Sequence, residues 1–252
     1  MDLGLKGKIA LVTGAGSQVG FGKAISLTLA KEGCDIAVND INLEDAQKTA
    51  AAVMAMGRKA IAIKGDVTKK TEVQEMVKKA LAEFGRIDIL VNNAGGMHPQ
   101  GPFSNHKEEI WDKDFNLNIK GTMLVTQAVL PAMTGQKYGK IINISSSVAK
   151  MAFPGVSTYG MAKAAIYVFT RGLAKSVIKQ GITVNSVAPG WALTHFDKTP
   201  PEELLKRFLP DTPIGRGTTT QDIANTVAFL ASDVSGDIVG QVICVDGGTT
   251  MQ

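Results

Sequence analysis

The chain has 252 residues, of which 44% are hydrophobic, and its net charge at pH 7 is +4. This length suits one domain over residues 1–252, built around a single core, better than two domains. The charge is mild and no basic run interleaves with aromatic residues, so anionic substrates or cofactors are compatible with the composition and a nucleic-acid partner is not indicated.

No apolar segment approaches the ~18 residues of a membrane span. The N-terminus, MDLGLKGKIALV, lacks the apolar core and cleavage site of a signal peptide. Cys34 and Cys244 are too few for a disulfide framework, and buried free thiols are the simpler interpretation. We therefore expect a cytoplasmic protein with no membrane partner and no metal site.

Seven short apolar segments alternate along the chain with segments of helical periodicity. Their continuous apolar character indicates strands buried on both faces, as in a parallel sheet covered by helices. They span residues 9–13, 35–39, 60–64, 87–92, 140–145, 182–187 and 242–246. The prediction is a doubly wound α/β fold of the Rossmann type, with seven parallel strands and helices on both faces.

A glycine-rich turn, TGAGSQVGFG, follows the first predicted strand and precedes a helical segment, residues 23–33. In a doubly wound sheet, backbone amides and a helix N-terminus at this position can face a pyrophosphate. The turn therefore predicts dinucleotide binding. A tight turn that only lets a helix pack closely is the alternative.

The second predicted strand leads to Asp40, which bears on the choice of cofactor. Its carboxylate can accept hydrogen bonds from an adenosine ribose with free hydroxyls, whereas a 2′-phosphate would meet like charge. Neither Ile41 nor Asn42 nor the glycine turn before Lys23 offers a cation for that phosphate. NAD(H) is thus predicted over NADP(H). The alternative role of Asp40 is an N-cap for a helix starting near Leu43.

The strongest chemical signal lies between Ser145 and Lys163. Tyr159 and Lys163 stand four residues apart in a predicted helix, so their side chains lie on one face. A nearby ammonium lowers the pKa of a phenol, which would let Tyr159 act as general acid and base. Ser146 precedes Tyr159 by thirteen residues and follows a predicted strand.

Further motifs occur in chain order with these groups: Asn92-Asn93-Ala94-Gly95, Asn118 within NLNIKGT, Pro189-Gly190, and a closing VDGG. Together with the glycine turn, Ser146, Tyr159 and Lys163, they resemble the short-chain dehydrogenase/reductase family over essentially the whole chain. The pattern is similar to that of 3-oxoacyl reductases and secondary-alcohol dehydrogenases. It is specific for the family and says little about substrate.

The resemblance implies a catalytic tetrad of Asn118, Ser146, Tyr159 and Lys163. Ser146 would hydrogen-bond the substrate oxygen while Tyr159 exchanges the proton, and Ser147 is the alternative serine. Lys163 would lower the pKa of Tyr159 and hydrogen-bond the nicotinamide ribose. Asn118, at a helix kink, would hold a water against Lys163. The implied activity is hydride transfer between NAD(H) and a secondary alcohol or ketone.

The resemblance also implies which residues contact the dinucleotide. They are Gly14, Gly16, Ser17, Gln18, Gly20, Phe21, Asp40, Asp66, Val67, Asn93, Ala94, Gly95, Tyr159, Lys163, Pro189, Gly190 and Thr194. An ordinary helix-capping role is the alternative for Asp66, and a simple turn is the alternative for the Asn-Asn-Ala-Gly segment.

The glycine turn departs from the family pattern in its length. Five residues separate Gly14 from Gly20, where the family usually has three. Similar spacing occurs in enoyl reductases, but those place six residues between the catalytic Tyr and Lys, and this chain places three there. We therefore expect a phosphate loop of altered path.

The residues expected to select the substrate surround the tetrad. They are Gly96, Met97, His98, Ser147, Met151, Phe153, Trp191, His195 and Phe196. Their apolar and aromatic character favours a hydrophobic substrate, cyclic and aryl compounds included, and acyl thioesters fit as well. For both histidines, a solvated loop position is the alternative. The segment from about 191 to 216, with the short helix EELLKRFL, resembles the family's mobile lid.

The principal alternative function is an NADPH-dependent 3-oxoacyl-(acyl-carrier-protein or CoA) reductase, whose pattern is similar but whose cofactor disagrees with Asp40. A dinucleotide-binding regulator would not need the whole tetrad. An extended epimerase or dehydratase usually has a longer C-terminal substrate domain. The resemblance further implies a homotetramer, with helices over 108–133 and 157–180 forming a four-helix contact.

Overall fold

The structure is a computed structural model that describes residues 2–98, 101–151, 157–194 and 200–251. Its strands are β1 (Ile9–Val12), β2 (Asp35–Asp40), β3 (Ala60–Lys64), β4 (Ile89–Asn92), β5 (Gly139–Ile144), β6 (Ile182–Pro189) and β7 (Val242–Val245). They form one parallel sheet in the order β3-β2-β1-β4-β5-β6-β7. The predicted seven-stranded, doubly wound sheet is confirmed.

Helices connect the strands. In the described chain they are α1 (Phe21–Lys31), α2 (Leu43–Ala55), α3 (Lys70–Phe84), α4 (Glu108–Phe115), α5 (Gly121–Gln136), α6 (Ser157–Val177), α7 (Pro201–Phe208) and α8 (Thr220–Ala231). A π-helical turn, Asn116–Lys120, joins α4 to α5, so the helix predicted over 108–133 is interrupted at its middle. None of these described helices is long and apolar enough to cross a membrane.

Two hydrophobic clusters cover opposite faces of the sheet, because neighbouring residues of a strand point to opposite sides. On one face Ala10 and Val12 pack with side chains from α1, α2 and α8. On the other face Leu11 belongs to a cluster with α3, α5 and α6. Every residue of β1, β4, β5 and β6 is buried, which is why these strands are largely continuous apolar runs.

The sheet changes its direction of winding between β1 and β4. Strands β2 and β3 extend it on one side of β1, and β4 to β7 extend it on the other. Ligands of doubly wound sheets bind in the crevice at such a switch point, outside the carboxyl ends of the strands. The glycine turn after β1 and the Asn-Asn-Ala-Gly segment after β4 meet here, where the Ala94 N–H donates to Thr13 Oγ1 at 3.0 Å.

We expect Gly22→Ala to destabilise the fold by about 1–3 kcal/mol, because α1 approaches the glycine turn closely at this residue. A Cβ on Gly22 would lie 2.6 Å from the Gly14 carbonyl oxygen and 2.7 Å from Asn93 Nδ2. Urea denaturation measures the change in the free energy of unfolding.

Gly135→Ala in α5 is the matched control for this substitution. No neighbouring atom lies within 4 Å of its Cβ position, so the higher helix propensity of Ala predicts a gain of up to about 1 kcal/mol. Equal free energies of unfolding for the two variants would contradict the close approach at Gly22.

Candidate active site

A cavity of about 610 Å³ opens at the carboxyl ends of the central strands. All but two of the predicted dinucleotide contacts line it, the exceptions being Gly16 and Gln18. Ser146, Tyr159 and Lys163 also line it, whereas Asn118 lies behind its wall. The fold thus brings together most of the groups expected from the sequence.

Ser146 and Tyr159 are in contact at the cavity wall. Ser146 follows β5 in an extended conformation, and its hydroxyl accepts from the Val148 N–H at 3.3 Å and is hydrogen-bonded to Tyr159. Tyr159 lies in the first turn of α6 and is 7% exposed. Ser147 lines the cavity too, while the Ser145 hydroxyl bonds the Val187 carbonyl at 3.2 Å, as a packed strand end would.

The acidity of Tyr159 differs from the sequence-based expectation. Burial raises its pKa above that of free tyrosine, the hydrogen bond with Ser146 lowers it, and the negative charge of Asp114 raises it. Lys163 Nζ lies 5.6 Å from the centroid of the phenol ring. The raised pKa contrasts with the lowering that we expected from Lys163, because desolvation of the phenolate is the largest effect on it.

Lys163 is a buried basic residue. Its side chain projects from the second turn of α6 into the interior, where it donates to the Ile144 carbonyl at 3.1 Å. Burial lowers the pKa of Lys163 to about 8. The residue therefore titrates near physiological pH, unlike a lysine in water.

Asn118 lies in the π-helical turn that interrupts the helix, at the position where a kink was expected. Its Nδ2 donates to the Gly96 carbonyl at 2.8 Å and to the Asp114 carbonyl at 2.9 Å, and its Oδ1 accepts from the Gly96 N–H at 3.2 Å. A Cβ on Gly95 would lie 2.9 Å from Asn118 Oδ1 and 3.0 Å from Lys163 Nζ. Asn118 and Lys163 thus approach the same glycine, and the water between them stays a prediction.

The glycine turn has the shape that a dinucleotide requires. Gly14 adopts φ +61°, and a Cβ there would lie 2.8 Å from Ala94 Cα. The N-cap of α1 is Gly20, which provides no capping side chain, so the first-turn amides remain open to a pyrophosphate. Asn93 Nδ2 holds the turn against β4 by donating to the carbonyls of Thr13 and Gly14, each at 2.9 Å.

Asp40 stands at the end of β2 with both carboxylate oxygens engaged. Oδ2 accepts from the Gly16 N–H at 2.7 Å and Oδ1 accepts from the Asn42 N–H at 3.0 Å. Because each carboxylate oxygen has a second acceptor site, ribose hydroxyls can still bind. The alternative of an N-cap is wrong: Asn42 caps α2, accepting from Glu44 and Asp45.

The lengthened turn places Gly16 and Gln18 away from the cavity, in contrast to the expected contacts. Gly16 is turned onto Asp40, and a Cβ there would lie 2.7 Å from the Asp40 Cγ. Gln18 Nε2 donates to the Gly16 carbonyl at 2.6 Å, and its Oε1 accepts from Lys23 at 2.8 Å. Gln18 Nε2 also donates to the Asp45 carbonyl at 3.3 Å, so this part of the turn folds back onto α2.

The segments after β3 and β6 also form local hydrogen bonds. Asp66 accepts from the Thr68 N–H at 2.9 Å and from its hydroxyl at 2.7 Å, so it orders the start of the segment before α3 while lining the cavity. At the other end, the Gly190 N–H donates to the Val245 carbonyl at 3.0 Å. Pro189 and Thr194 line the cavity beside this bond.

A sequence model of the family described as enoyl-(acyl carrier protein) reductase matches residues 14–250. The chain belongs to the short-chain dehydrogenase/reductase family. This confirms the resemblance inferred from the motifs. The protein is therefore an oxidoreductase of a family that uses NAD(P)(H) and acts on CH–OH groups.

Relatives of this dehydrogenase/reductase carry several names. It is 41% identical over 249 residues to the (2S)-[(R)-hydroxy(phenyl)methyl]succinyl-CoA dehydrogenase subunit BbsD of Thauera aromatica, covering 99% of each chain. It is 40% identical over 245 residues to the 3-oxoacyl-[acyl-carrier-protein] reductase FabG of Staphylococcus epidermidis, covering 97% of this chain and 99% of that one.

Solved structures of related enzymes match the fold closely. A short-chain type dehydrogenase/reductase from Mycobacterium marinum has a TM-score of 0.94 at 32% identity, covering 100% of this chain and 98% of that one. A 7α-hydroxysteroid dehydrogenase complexed with NADH and 7-oxo glycochenodeoxycholic acid has a TM-score of 0.93 at 34% identity, covering 100% and 97%.

The substrate end of the dehydrogenase/reductase cavity is apolar. Of the predicted substrate residues, Gly96, Met97, Ser147, Met151 and Trp191 line it. His98 does not, because its ring Nδ1 is bonded to Asp114 at 2.8 Å. Phe153, His195 and Phe196 lie outside the described residues.

Sequence reasoning missed several cavity residues. Leu204 and Phe208 of α7 reach it, as do Leu117 and Thr249. Phe208 stacks on Trp191 with ring centroids 5.9 Å apart. The four-residue spacing of Leu204 and Phe208 in a helix with four charged residues was the available signal, since such positions share one face.

Proposed function

We propose that the protein is an NAD(H)-dependent dehydrogenase that interconverts a secondary alcohol and a ketone on a hydrophobic substrate, cyclic and aryl compounds included. The observation that carries this proposal is the contact between Ser146 and Tyr159 in a cavity that extends to the glycine turn and Asp40. Tyr159 is the proposed general acid and base.

The residues present fit a dinucleotide. Gly14 and Gly20 line the cavity, the turn is packed tightly on Ala94 at Gly14, and Gly20 leaves the amides of α1 open. When bound, the nicotinamide supplies the hydride donor or acceptor. Residues that would hold it are the glycine turn at the phosphates, Asp40 at the adenosine ribose, Lys163 at the other ribose, and the Pro189 to Thr194 segment at the carboxamide.

The protein's own groups handle the proton. Tyr159 holds it at the phenol oxygen and passes it to the substrate oxygen in ketone reduction, or removes it in alcohol oxidation. Ser146, already bonded to Tyr159, orients the same substrate oxygen. Lys163 uses one of its three N–H donors on Ile144, which leaves donors for ribose hydroxyls. Asn118, whose Oδ1 and Nδ2 are both hydrogen-bonded to the Gly96 backbone, supports the position of Lys163.

Asp40 supports NAD(H) over NADP(H). Its carboxylate lines the cavity and is fixed by the Gly16 and Asn42 amides, so it presents negative charge where a 2′-phosphate would lie. NADH is also the cofactor bound to the 7α-hydroxysteroid dehydrogenase that shares the fold. Fluorescence titration with NADH and NADPH tests the preference, and tighter NADPH binding would contradict it.

We expect Asp40→Ala combined with Ile41→Arg to shift the ratio of NADH to NADPH affinity by about 10–100-fold towards NADPH, because a repulsive charge is replaced by a bidentate phosphate ligand. Ile41 is 64% exposed and lines the cavity, so an Arg can be accommodated. Ile41→Arg alone is the control, since Asp40 still repels the phosphate. An unchanged ratio in the double variant would mean that the adenosine is recognised elsewhere.

The apolar lining supports a hydrophobic ketone or alcohol. Met97, Met151, Trp191, Leu204 and Phe208 surround the substrate end of the cavity. The relatives named as acting on acyl-carrier-protein and CoA thioesters support the second candidate, NADPH-dependent reduction of 3-oxoacyl thioesters. Turnover of cyclic or aryl ketones with NADH favours the first proposal, and faster turnover of acetoacetyl thioester with NADPH favours the second.

We propose that the segment from 191 to 216, of which the structure describes 191–194 and 200–216, closes over the substrate. Its helix α7 presents Leu204 and Phe208 to the cavity, and the Trp191 Nε1–H donates to Thr212 Oγ1 at 2.6 Å, which ties the start of the segment to its later part.

We further propose that the chain forms one domain and assembles as a homotetramer. Exposed apolar side chains on α5 and α6, such as Met123, Met161 and Val168, support the tetramer. Light scattering tests the tetramer.

A further inference from the structure

A fully buried carboxylate lies beside the proposed tetrad. Asp114 is the buried residue of α4 and its exposure is 0%. Burying a carboxylate is costly unless hydrogen bonds compensate the lost hydration. A charged group therefore occupies the inward face of this helix, where an apolar side chain would be buried at a lower cost in free energy.

The described bonds of Asp114 join three segments that carry the active site. Oδ1 accepts from the His98 ring Nδ1 at 2.8 Å and from the His98 N–H at 3.3 Å, which holds the loop after β4. Oδ2 accepts from the Thr158 hydroxyl at 2.8 Å, in the first turn of α6 immediately before Tyr159. The Asp114 carbonyl accepts from Asn118 Nδ2 at 2.9 Å.

A second buried aspartate shows the difference between a stabilising and an active-site position. Asp88 is also 0% exposed, but it is paired with Arg86 and accepts from the Ile9 N–H at 2.9 Å, next to the start of β1 and away from the cavity. Asp114 lies at the catalytic end of the sheet, and its partners adjoin Tyr159, Asn118 and the cavity-lining loop. The buried carboxylate of Asp114 therefore lies beside the proposed catalytic residues.

We propose that Asp114 is a positioning residue for Tyr159. Through Thr158 it fixes the first turn of α6, and with it the phenol, and through its own carbonyl it orients Asn118. The kinetic part of this inference rests on the proposed function of Tyr159, whereas the effect on the phenol itself does not.

The groups around the phenol make the effect measurable. Lys163 faces Tyr159 from the same helix, Ser146 faces it from the loop after β5, and Tyr167 lies near. Asp114 supplies the negative charge in this set and raises the pKa of Tyr159. Removing that charge is expected to lower the pKa of Tyr159. Hydration of the phenol after a loss of packing would lower this pKa as well, so the free energy of unfolding of each variant is measured alongside.

The first experiment compares Asp114→Asn with Asp112→Asn, an exposed aspartate of the same helix. An Asn side chain replaces one acceptor oxygen with an amide that donates, so the hydrogen bond to His98 or to Thr158 must be lost or reversed in direction, and the charge is removed. With NADH and a panel of cyclic and aryl ketones, we expect kcat to fall about 10–100-fold in Asp114→Asn, with the KM for NADH nearly unchanged. Asp112→Asn should retain wild-type kcat.

The second experiment needs no turnover. The protein has three tyrosines, so subtracting the phenolate absorbance titration of Tyr159→Phe from that of the parent isolates Tyr159. At the highest pH at which both proteins stay folded, we expect a larger phenolate fraction at Tyr159 in the Asp114→Asn background than in wild type, because removing the negative charge lowers the pKa of Tyr159. Equal phenolate fractions would overturn the inference. A larger fraction together with full turnover in Tyr159→Phe would uphold it and reject the proposed function.

A third pair of variants covers the case in which Asp114→Asn does not fold. Thr158→Val removes the hydroxyl that bonds Asp114, whereas Thr158→Ser retains it. We expect Thr158→Val to lower kcat about tenfold at constant KM for NADH, and Thr158→Ser to restore it. Equal kcat values for these two variants would overturn the positioning role.

Discussion

Tyr159→Phe is expected to lower kcat by about 10²–10⁴-fold, the usual contribution of a positioned proton donor. The substitution removes only the hydroxyl that is bonded to Ser146, and the ring keeps its place in the first turn of α6. NADH affinity and the free energy of unfolding should therefore stay near wild type. Steady-state kinetics with a ketone panel measures kcat, and NADH fluorescence titration measures the affinity for NADH.

Tyr138→Phe is the matched control for loss of a phenol. The Tyr138 hydroxyl donates to Asp233 at 2.7 Å, and neither residue lines the cavity. Its removal should leave kcat unchanged. Undiminished turnover in Tyr159→Phe would reject Tyr159 as the general acid and base, and loss of NADH binding would show that the variant disturbs more than the proton donor.

Lys163→Met is expected to abolish measurable turnover and at the same time to stabilise the protein by about 2 kcal/mol at pH 7. Burial lowers the pKa of Lys163 from 10.5 to about 8, so holding the ammonium in the interior costs about 3 kcal/mol. Loss of the hydrogen bond to the Ile144 carbonyl returns about 1 kcal/mol of that gain.

The pH dependence of this stabilisation has a definite sign. Below pH 8 both the folded and the unfolded wild type carry the proton, so the cost is present in full. Between pH 8 and 10.5 the folded state releases the proton while the unfolded state keeps it, and wild-type stability rises relative to the variant. Urea denaturation at pH 7 and 10 measures the difference between the two proteins, and a gap that does not narrow with pH would contradict the buried ammonium.

Much of the sheet was predictable because a strand buried on both faces leaves a local signature. Each of the seven strands lies within two residues of its predicted limits. The tetrad was recognisable for a similar reason, since Tyr159 and Lys163 are separated by one helical turn and Ser146 follows a strand. These relations are local in sequence, so they survive without knowledge of the tertiary contacts.

Other features depend on segments that are distant in sequence. Thr158 and Asp114 are 44 residues apart, and neither belongs to a recognisable motif. Leu204, Phe208 and Thr249 reach the cavity only because the chain after β6 and its C-terminus return to it. The folding of Gly16 onto Asp40 likewise follows from the meeting of two strand ends.

By itself the sequence determined the family and the doubly wound sheet and predicted the tetrad, because periodicity and motif spacing carry that information. Only the tertiary structure decided the acidity of these groups and their supports. From the sequence, Lys163 was expected to lower the pKa of Tyr159, whereas the folded protein raises it. Desolvation and the approach of Asp114 cause this reversal, and both arise only when the chain has closed around the phenol.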